Sequence, residues 1–233
     1  MGRLYGVGVG PGDPDLITLK ALKVLRAANL IAYPAPETGE SLARSIADKH
    51  IPKGLEEFAI RMPMLADRFP AQDVYDQAAQ RIGDALERGR TVAVLCEGDP
   101  FFYGSFLYLF GRLAGDHTVE VVPGVSSLMA CAAALSAPLA ARNDVLTILP
   151  APLDDETLTA RLAEAEAIAI VKLGRHFERV RTLLRQNGLA HDARYIEHAT
   201  MADQRILRLD EVDAATVPYF SMVLAHRRGT AWS

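Results

Sequence analysis

Three times along the sequence a short apolar run stops at a corner of glycine and proline. Leu4–Val9 runs into Gly10-Pro11-Gly12-Asp13, Val92–Cys96 into Glu97-Gly98-Asp99-Pro100, and Val119–Val122 into Pro123-Gly124-Val125-Ser126-Ser127. Short runs of β-branched and aliphatic residues bounded by such corners read as buried strands. A helix pattern follows each corner. After the first, Asp13 is placed as N-cap and Pro14 as first helical residue, with Leu16, Leu19, Leu22 and Leu25 as the apolar stripe; the others give helices over Phe106–Ala114 and Ser126–Leu135. Further strands are expected at Leu30–Tyr33 and Leu55–Ile60, and further helices at Ser41–Lys49 and Asp73–Arg88. Strands alternating with helices demand a parallel sheet covered on both faces, and the carboxyl ends of its strands then share one edge, where ligands settle. Any single corner is an ordinary strand-to-helix turn. Three on one edge make a pocket floor.

The rhythm changes after Ser136-Ala137-Pro138. Strands are expected at Val145–Leu149, Ile168–Lys172, Ala193–Glu197, Ile206–Leu209 and Tyr219–Ala225, with helices only at Glu156–Ala165 and Phe177–Asn187, the latter stopped by Gly188. The last three strands follow one another closely, which suggests antiparallel pairing. The expected architecture is therefore two α/β domains, an N-terminal mostly parallel wrapped sheet over residues 1–138 and a C-terminal mixed sheet over 139–233.

Composition excludes several classes of partner. With 25 Lys and Arg against 29 Asp and Glu the net charge is −4, so no global positive field exists to hold a nucleic-acid backbone. Only Cys96 and Cys131 are present, without metal-ligand spacing; they read as small buried hydrophobes, and no metal site is expected. No apolar h-region follows Met1-Gly2-Arg3, and the longest apolar run, Leu128–Leu135, is far short of the roughly 20 residues that span a bilayer. A cytoplasmic protein without membrane attachment is the expectation. The first corner is no dinucleotide fingerprint, because Pro11 or Asp13 falls where its third glycine belongs, and no Gly-Lys-Ser/Thr follows to make a phosphate-binding loop. The loops suit a ligand without phosphates.

Taken together, Gly8-Val9-Gly10-Pro11-Gly12-Asp13, Gly98-Asp99-Pro100, and Val122-Pro123-Gly124-Val125-Ser126-Ser127 before a small-residue helix resemble the tetrapyrrole methylases in order and separation. The likeness continues through Val171-Lys172-Leu173-Gly174-Arg175, Glu197-His198-Ala199-Thr200 and Gln204-Arg205. The resemblance implies two α/β domains with S-adenosylmethionine in the cleft between them, S-adenosylhomocysteine as product, a small tetrapyrrole as substrate, and a homodimer. It places the cofactor against Pro11, Glu97, Gly98, Asp99, Phe102, Ser126 and Ser127, with Leu173 and the backbone at Ala199 from the second domain.

Within the family, Glu97–Ser105, Met62-Pro63-Met64 and Pro218-Tyr219-Phe220-Ser221 resemble the branch that methylates carbon 20 of precorrin-2. Uroporphyrinogen-III methylases carry an Asp after the second strand's Tyr, where this chain has Tyr33-Pro34, so no acid role is carried over. No catalytic residue is assigned; His176 and His198 are candidates for a weak base against a structural role, and Asp99 reads as a hydrogen-bond acceptor. A substrate with eight carboxylates needs forked cations. Arg61, Arg68, Arg142, Arg175 and Arg205 are the candidates, each to be weighed against an ordinary solvated surface Arg. Three readings stay open beside this one: the cobalt complex as acceptor, another methylase of the same fold acting on RNA or diphthine, and a tetrapyrrole-binding module without activity.

Overall fold

The structure is a computed structural model that describes residues 2–62 and 72–228. The chain divides into two units, residues 1–126 and 127–233.

In the first unit β1 (Arg3–Gly8), α1 (Leu19–Ala27), β2 (Leu30–Pro36), α2 (Leu42–Ala47), β3 (Glu56–Met62), α3 (Gln72–Glu87), β4 (Thr91–Cys96), α4 (Phe106–Leu113) and β5 (Val119–Val122) alternate. All paired strands run parallel, in the order β3-β2-β4-β1-β5. The period of two in β4 shows why both faces are covered. Val92, Val94 and Cys96 pack with α3 and α4, whereas Ala93 and Leu95 pack with α1 and α2. Leu30 and Ala32 join the first group and Ile31 the second. Each Val, Leu or Ile side chain so enclosed contributes about 1.5–3 kcal/mol relative to exposure. Gly6 fits the same scheme: a Cβ there would stand 2.4 Å from the Phe106 ring, so the ring occupies the space a side chain on β1 would fill.

Proline shapes the edge of the sheet near α2. Strand β2 pairs with β3 along its whole length but with β4 only from Leu30 to Ala32. Pro34 has no N–H to continue a ladder. Beyond it, Ser41 Oγ donates to the Pro34 carbonyl (2.5 Å) and accepts the Arg44 N–H as the α2 cap (3.2 Å).

The expected first helix needs correction. Asp13 caps only one 3-10 turn at Pro14–Leu16, because Ile17 turns extended and Thr18 starts afresh as the N-cap of α1, its Oγ1 accepting from Ala21. The buried face is consequently Ala21, Val24 and Leu25, while Leu19, expected in the stripe, is 77% exposed.

The second unit contains α5 (Ser127–Ala134), β6 (Leu146–Pro150), α6 (Asp155–Glu164), β7 (Ala167–Val171), α7 (Phe177–Gln186), β8 (Arg194–Glu197), β9 (Arg205–Arg208) and β10 (Ser221–His226). The Ser136–Pro138 break thus follows α5, which packs within this unit against β10. The sheet order is β6-β7-β10-β8-β9; β6 and β7 are parallel and every other pair is antiparallel. Its core gathers Ile168, Ile170, Leu173, Phe177, Leu184, Tyr195 and Val223. Both cysteines are buried, and desolvation pushes the Cys131 thiol up to about 12 and that of Cys96 higher still.

Candidate functional site

Because β4, β1 and β5 are neighbours, the three corners that follow them stand side by side on one edge. Their glycines meet backbone to backbone. A Cβ on Gly8 would lie 2.6 Å from Gly124 Cα and from the Gly98 carbonyl oxygen, and one on Gly124 would lie 2.0 Å from that oxygen and 2.8 Å from Gly8 Cα. Gly10 and Gly98 form an antiparallel bridge, Gly98 N–H donating to Gly10 O (2.8 Å) and Gly10 N–H to Gly98 O (3.3 Å). Both have positive φ, +83° and +62°, where an L side chain is strained.

Two carboxylates fasten this joint. Asp99 Oδ1 accepts the Phe101 N–H (2.9 Å) and Oδ2 the Gly124 N–H (3.1 Å), tying the second corner to the third. Glu97 Oε1 accepts the Ala43 N–H in the first turn of α2 (3.3 Å). Burial raises the Glu97 carboxyl above the usual range, opposed by the N–H groups that favour its charge. Pro11 is buried, Phe102 is half-buried with its ring edge-on to Tyr103 (5.0 Å), and Ser126 is half-buried. Among the residues expected at the cofactor, the structure thus groups Glu97, Gly98 and Asp99 with the glycines of the first and third corners. Ser127 is exposed at the start of α5.

The second unit has an edge of its own. Register sets Met222 opposite Val171 and Ser221 opposite Glu197, so the chain after β7, the chain before β10 and the chain after β8 are adjacent. Gly174 N–H donates to Pro218 O (3.3 Å) and His198 N–H to Phe220 O (3.0 Å). Leu173 is completely buried in the core, which leaves only its main chain to meet a ligand, and Ala199 is buried. His198 Nδ1 lies 2.6 Å from Asp203 Oδ2, and Thr200 N–H donates to Gln204 Oε1 (2.7 Å); a bond to a partner carboxylate suits His198 to holding this loop. Desolvation, with Arg179 and Arg175 nearby, lowers the His176 pKa.

The candidate cations separate. Arg175 is exposed, with no hydrogen bond or ion pair among the described residues, and Arg142 is exposed at φ +50° ahead of β6. One nitrogen of Arg61 is spent on the carbonyls of Pro36 (3.0 Å), Gly39 (3.3 Å) and Glu37 (3.4 Å), closing the loop after β2. Arg205 pairs with Glu197 (3.1 Å). Arg68 and the Pro63-Met64 part of the sequence pattern lie outside the described residues. Sequence reading passed over the carboxylates as structural parts: the long-range bonds from Glu97 to α2 and from Asp99 to Gly124 leave no local signal. Among the described residues no group of His, Cys, Asp and Glu could hold a metal ion, and no helix is long and apolar enough to cross a membrane.

A family model of tetrapyrrole (corrin/porphyrin) methylases matches residues 3–214. The cobalamin biosynthesis protein CobIJ of Mycobacterium tuberculosis is 43% identical over 96% of this chain and 46% of its own length, so the chain spans about half of that curated relative. The precorrin-2 C(20)-methyltransferase of a Sinorhizobium species is 38% identical over 96% of this chain and 95% of its own. The solved structure of the cobalt precorrin-4 methyltransferase CbiF superposes with a TM-score of 0.73 at 25% identity, covering 96% of this chain and 94% of the other. With a match over nearly its whole length and the three corners assembled on one sheet edge, the chain belongs to the tetrapyrrole methylases.

Proposed function

We propose that this chain transfers the methyl group of S-adenosylmethionine to carbon 20 of precorrin-2, releasing S-adenosylhomocysteine and a proton. The charge of the corners carries the choice of donor. Across residues 8–13, 97–103 and 123–127 every charged side chain is acidic, namely Asp13, Glu97 and Asp99. Such a rim attracts a cationic ligand and repels a pyrophosphate. The cofactor would supply an electrophilic methyl on a sulfonium. Pro11 and Phe102 would form an apolar wall, and Glu97, Gly98, Asp99, Ser126 and Ser127 would offer polar groups that fix its direction. An electron-rich meso carbon needs little activation, so positioning supplies most of the catalysis asked of the protein.

The carbon-20 assignment is supported by the Glu97–Ser105 and Pro218–Ser221 runs, by Pro34 in place of an acid, and by the activity for which the Sinorhizobium relative is named. A homodimer in the cytoplasm, with the functional division at Pro138, belongs to the same proposal. Incubation with methyl-carbon-13 donor and either metal-free or cobalt-bound precorrin-2, followed by NMR of the product, tests it. A label on carbon 20 is the expected result, and the faster acceptor identifies the substrate form. A label on a pyrrole carbon would move the chain to another branch, and binding without turnover would make it a tetrapyrrole-binding module.

A further inference from the structure

The second unit's edge carries two features that its sheet does not need. Tyr219 and Phe220 are 54% and 45% exposed, packed edge to face on each other (5.3 Å, 84°) rather than into the core, with the Lys172 ammonium 6.0 Å from the Tyr219 ring centre. Beside them Glu197 on β8 is buried, yet its cross-strand partner on β9, Arg205, keeps 57% of its side chain in solvent.

An ion pair with one partner buried and the other wet is a weak stabiliser, because the carboxylate loses hydration while the attraction is screened. The arrangement does fix direction. Glu197 Oε2 accepts the Tyr195 hydroxyl, and Oε1 faces the Arg205 guanidinium. Burial first, and Glu197 second, hold the Tyr195 hydroxyl well above the usual phenol range, so it stays a donor. Tyr195 is itself immobile, completely buried and edge-on to Phe177 (5.3 Å). The guanidinium therefore stands on a rigid base and has further N–H donors to offer.

We propose that Arg205 clamps a carboxylate of the tetrapyrrole, that Glu197, held by Tyr195, is its positioning residue, and that Tyr219 and Phe220 form the apolar ledge for the macrocycle. This rests on the tetrapyrrole reading above. A fork oriented before binding loses less rotamer freedom on meeting a carboxylate, and exposed aromatic faces suit a large conjugated ring.

The test is a fluorescence titration of the full chain with a porphyrin octacarboxylate, which binds without turnover, beside a cofactor titration. Arg205→Ala is expected to weaken porphyrin binding roughly 10- to 100-fold, the usual range for a hydrogen bond involving charge, and Arg205→Lys to recover only part of it. Glu197→Gln should weaken it by a smaller factor, and the double variant should bind no worse than Arg205→Ala alone. Cofactor affinity should stay within about twofold throughout, since none of these residues is among those placed against the cofactor, in the corners or at Leu173 and Ala199. Should Glu197→Gln fail to fold, Tyr195→Phe removes one hydroxyl and must weaken binding only while Arg205 is present. Unchanged porphyrin affinity with a lowered melting temperature, additive effects in the double variant, or a wild type that does not bind the porphyrin would each overturn the clamp. Binding that depends on Arg205 in a chain that transfers no methyl would instead refute the methyl-transfer reading and keep the clamp.

Discussion

Gly124→Ala is the sharpest probe of the joint between the corners. Its new methyl would sit 2.0 Å from the Gly98 carbonyl oxygen and under 3 Å from two backbone atoms of Gly8. Neither neighbour can retreat cheaply: Gly8 lies in β1, paired to β4 on one side and adjoining β5 on the other, and Gly98 is bridged to Gly10 by two hydrogen bonds. Gly124 has no positive φ, so backbone strain adds nothing to the cost. Overpacking costs about 1–3 kcal/mol, and displacing Gly124 from Asp99 forfeits a charge-assisted bond of about 1.5–3 kcal/mol. A loss of roughly 3–5 kcal/mol should lower the first unit's melting transition by roughly 10–20 °C. Differential scanning calorimetry reads this directly. The control is Gly111→Ala in α4, where a Cβ meets nothing within 4 Å and better helix propensity should add up to about 1 kcal/mol. A Gly124→Ala protein that melts like wild type would refute backbone contact as the reason for glycine there.

Gly6→Ala should cost about 1–3 kcal/mol by meeting the Phe106 ring, and less in a Phe106→Leu background; additive losses in urea melts would mean the ring is not the obstacle. Glu97 is easier to protonate folded than unfolded, so its ionisation costs stability as pH rises above the ordinary Glu range near ~4.3. Glu97→Gln should therefore gain stability over wild type at pH 7, with the gain vanishing below about pH 4; a difference independent of pH would contradict this. Arg175→Ala should weaken tetrapyrrole binding roughly tenfold at low salt and little at high salt, because Arg175 is exposed and screened beyond about 8–10 Å, while cofactor titrations stay unchanged.

The strands were legible because burial on both faces leaves no polar interruption: Val92–Cys96 is enclosed whichever way a residue points. The corners were legible because Gly and Pro mark a backbone requirement directly. The start of α1 was not, since Asp13-Pro14 and Thr18 are both valid caps and only packing of Ala21, Val24 and Leu25 on the sheet decides between them. The site was legible to the level of its loops. Which carboxylate holds which N–H depends on sheet order, as with Asp99 reaching Gly124, and β5 beside β1 is not written in any local pattern.

Strand β10 lies between β7 and β8, although β8 and β9 precede it in sequence. During synthesis residues 194–208 therefore emerge before the strand that joins them to the sheet exists. The first sheet depends in the same way on β4, which joins β2 to β1, but its five strands all lie within residues 3–122 and so precede the second sheet. On a ribosome that adds residues one at a time, the parallel sheet can close early while the β8–β9 hairpin waits with an open edge. Residues 221–226 thus set the moment at which the second sheet becomes continuous, and a chain stalled just before them would leave the β7 and β8 edges unpaired in addition to the outer edges of β6 and β9.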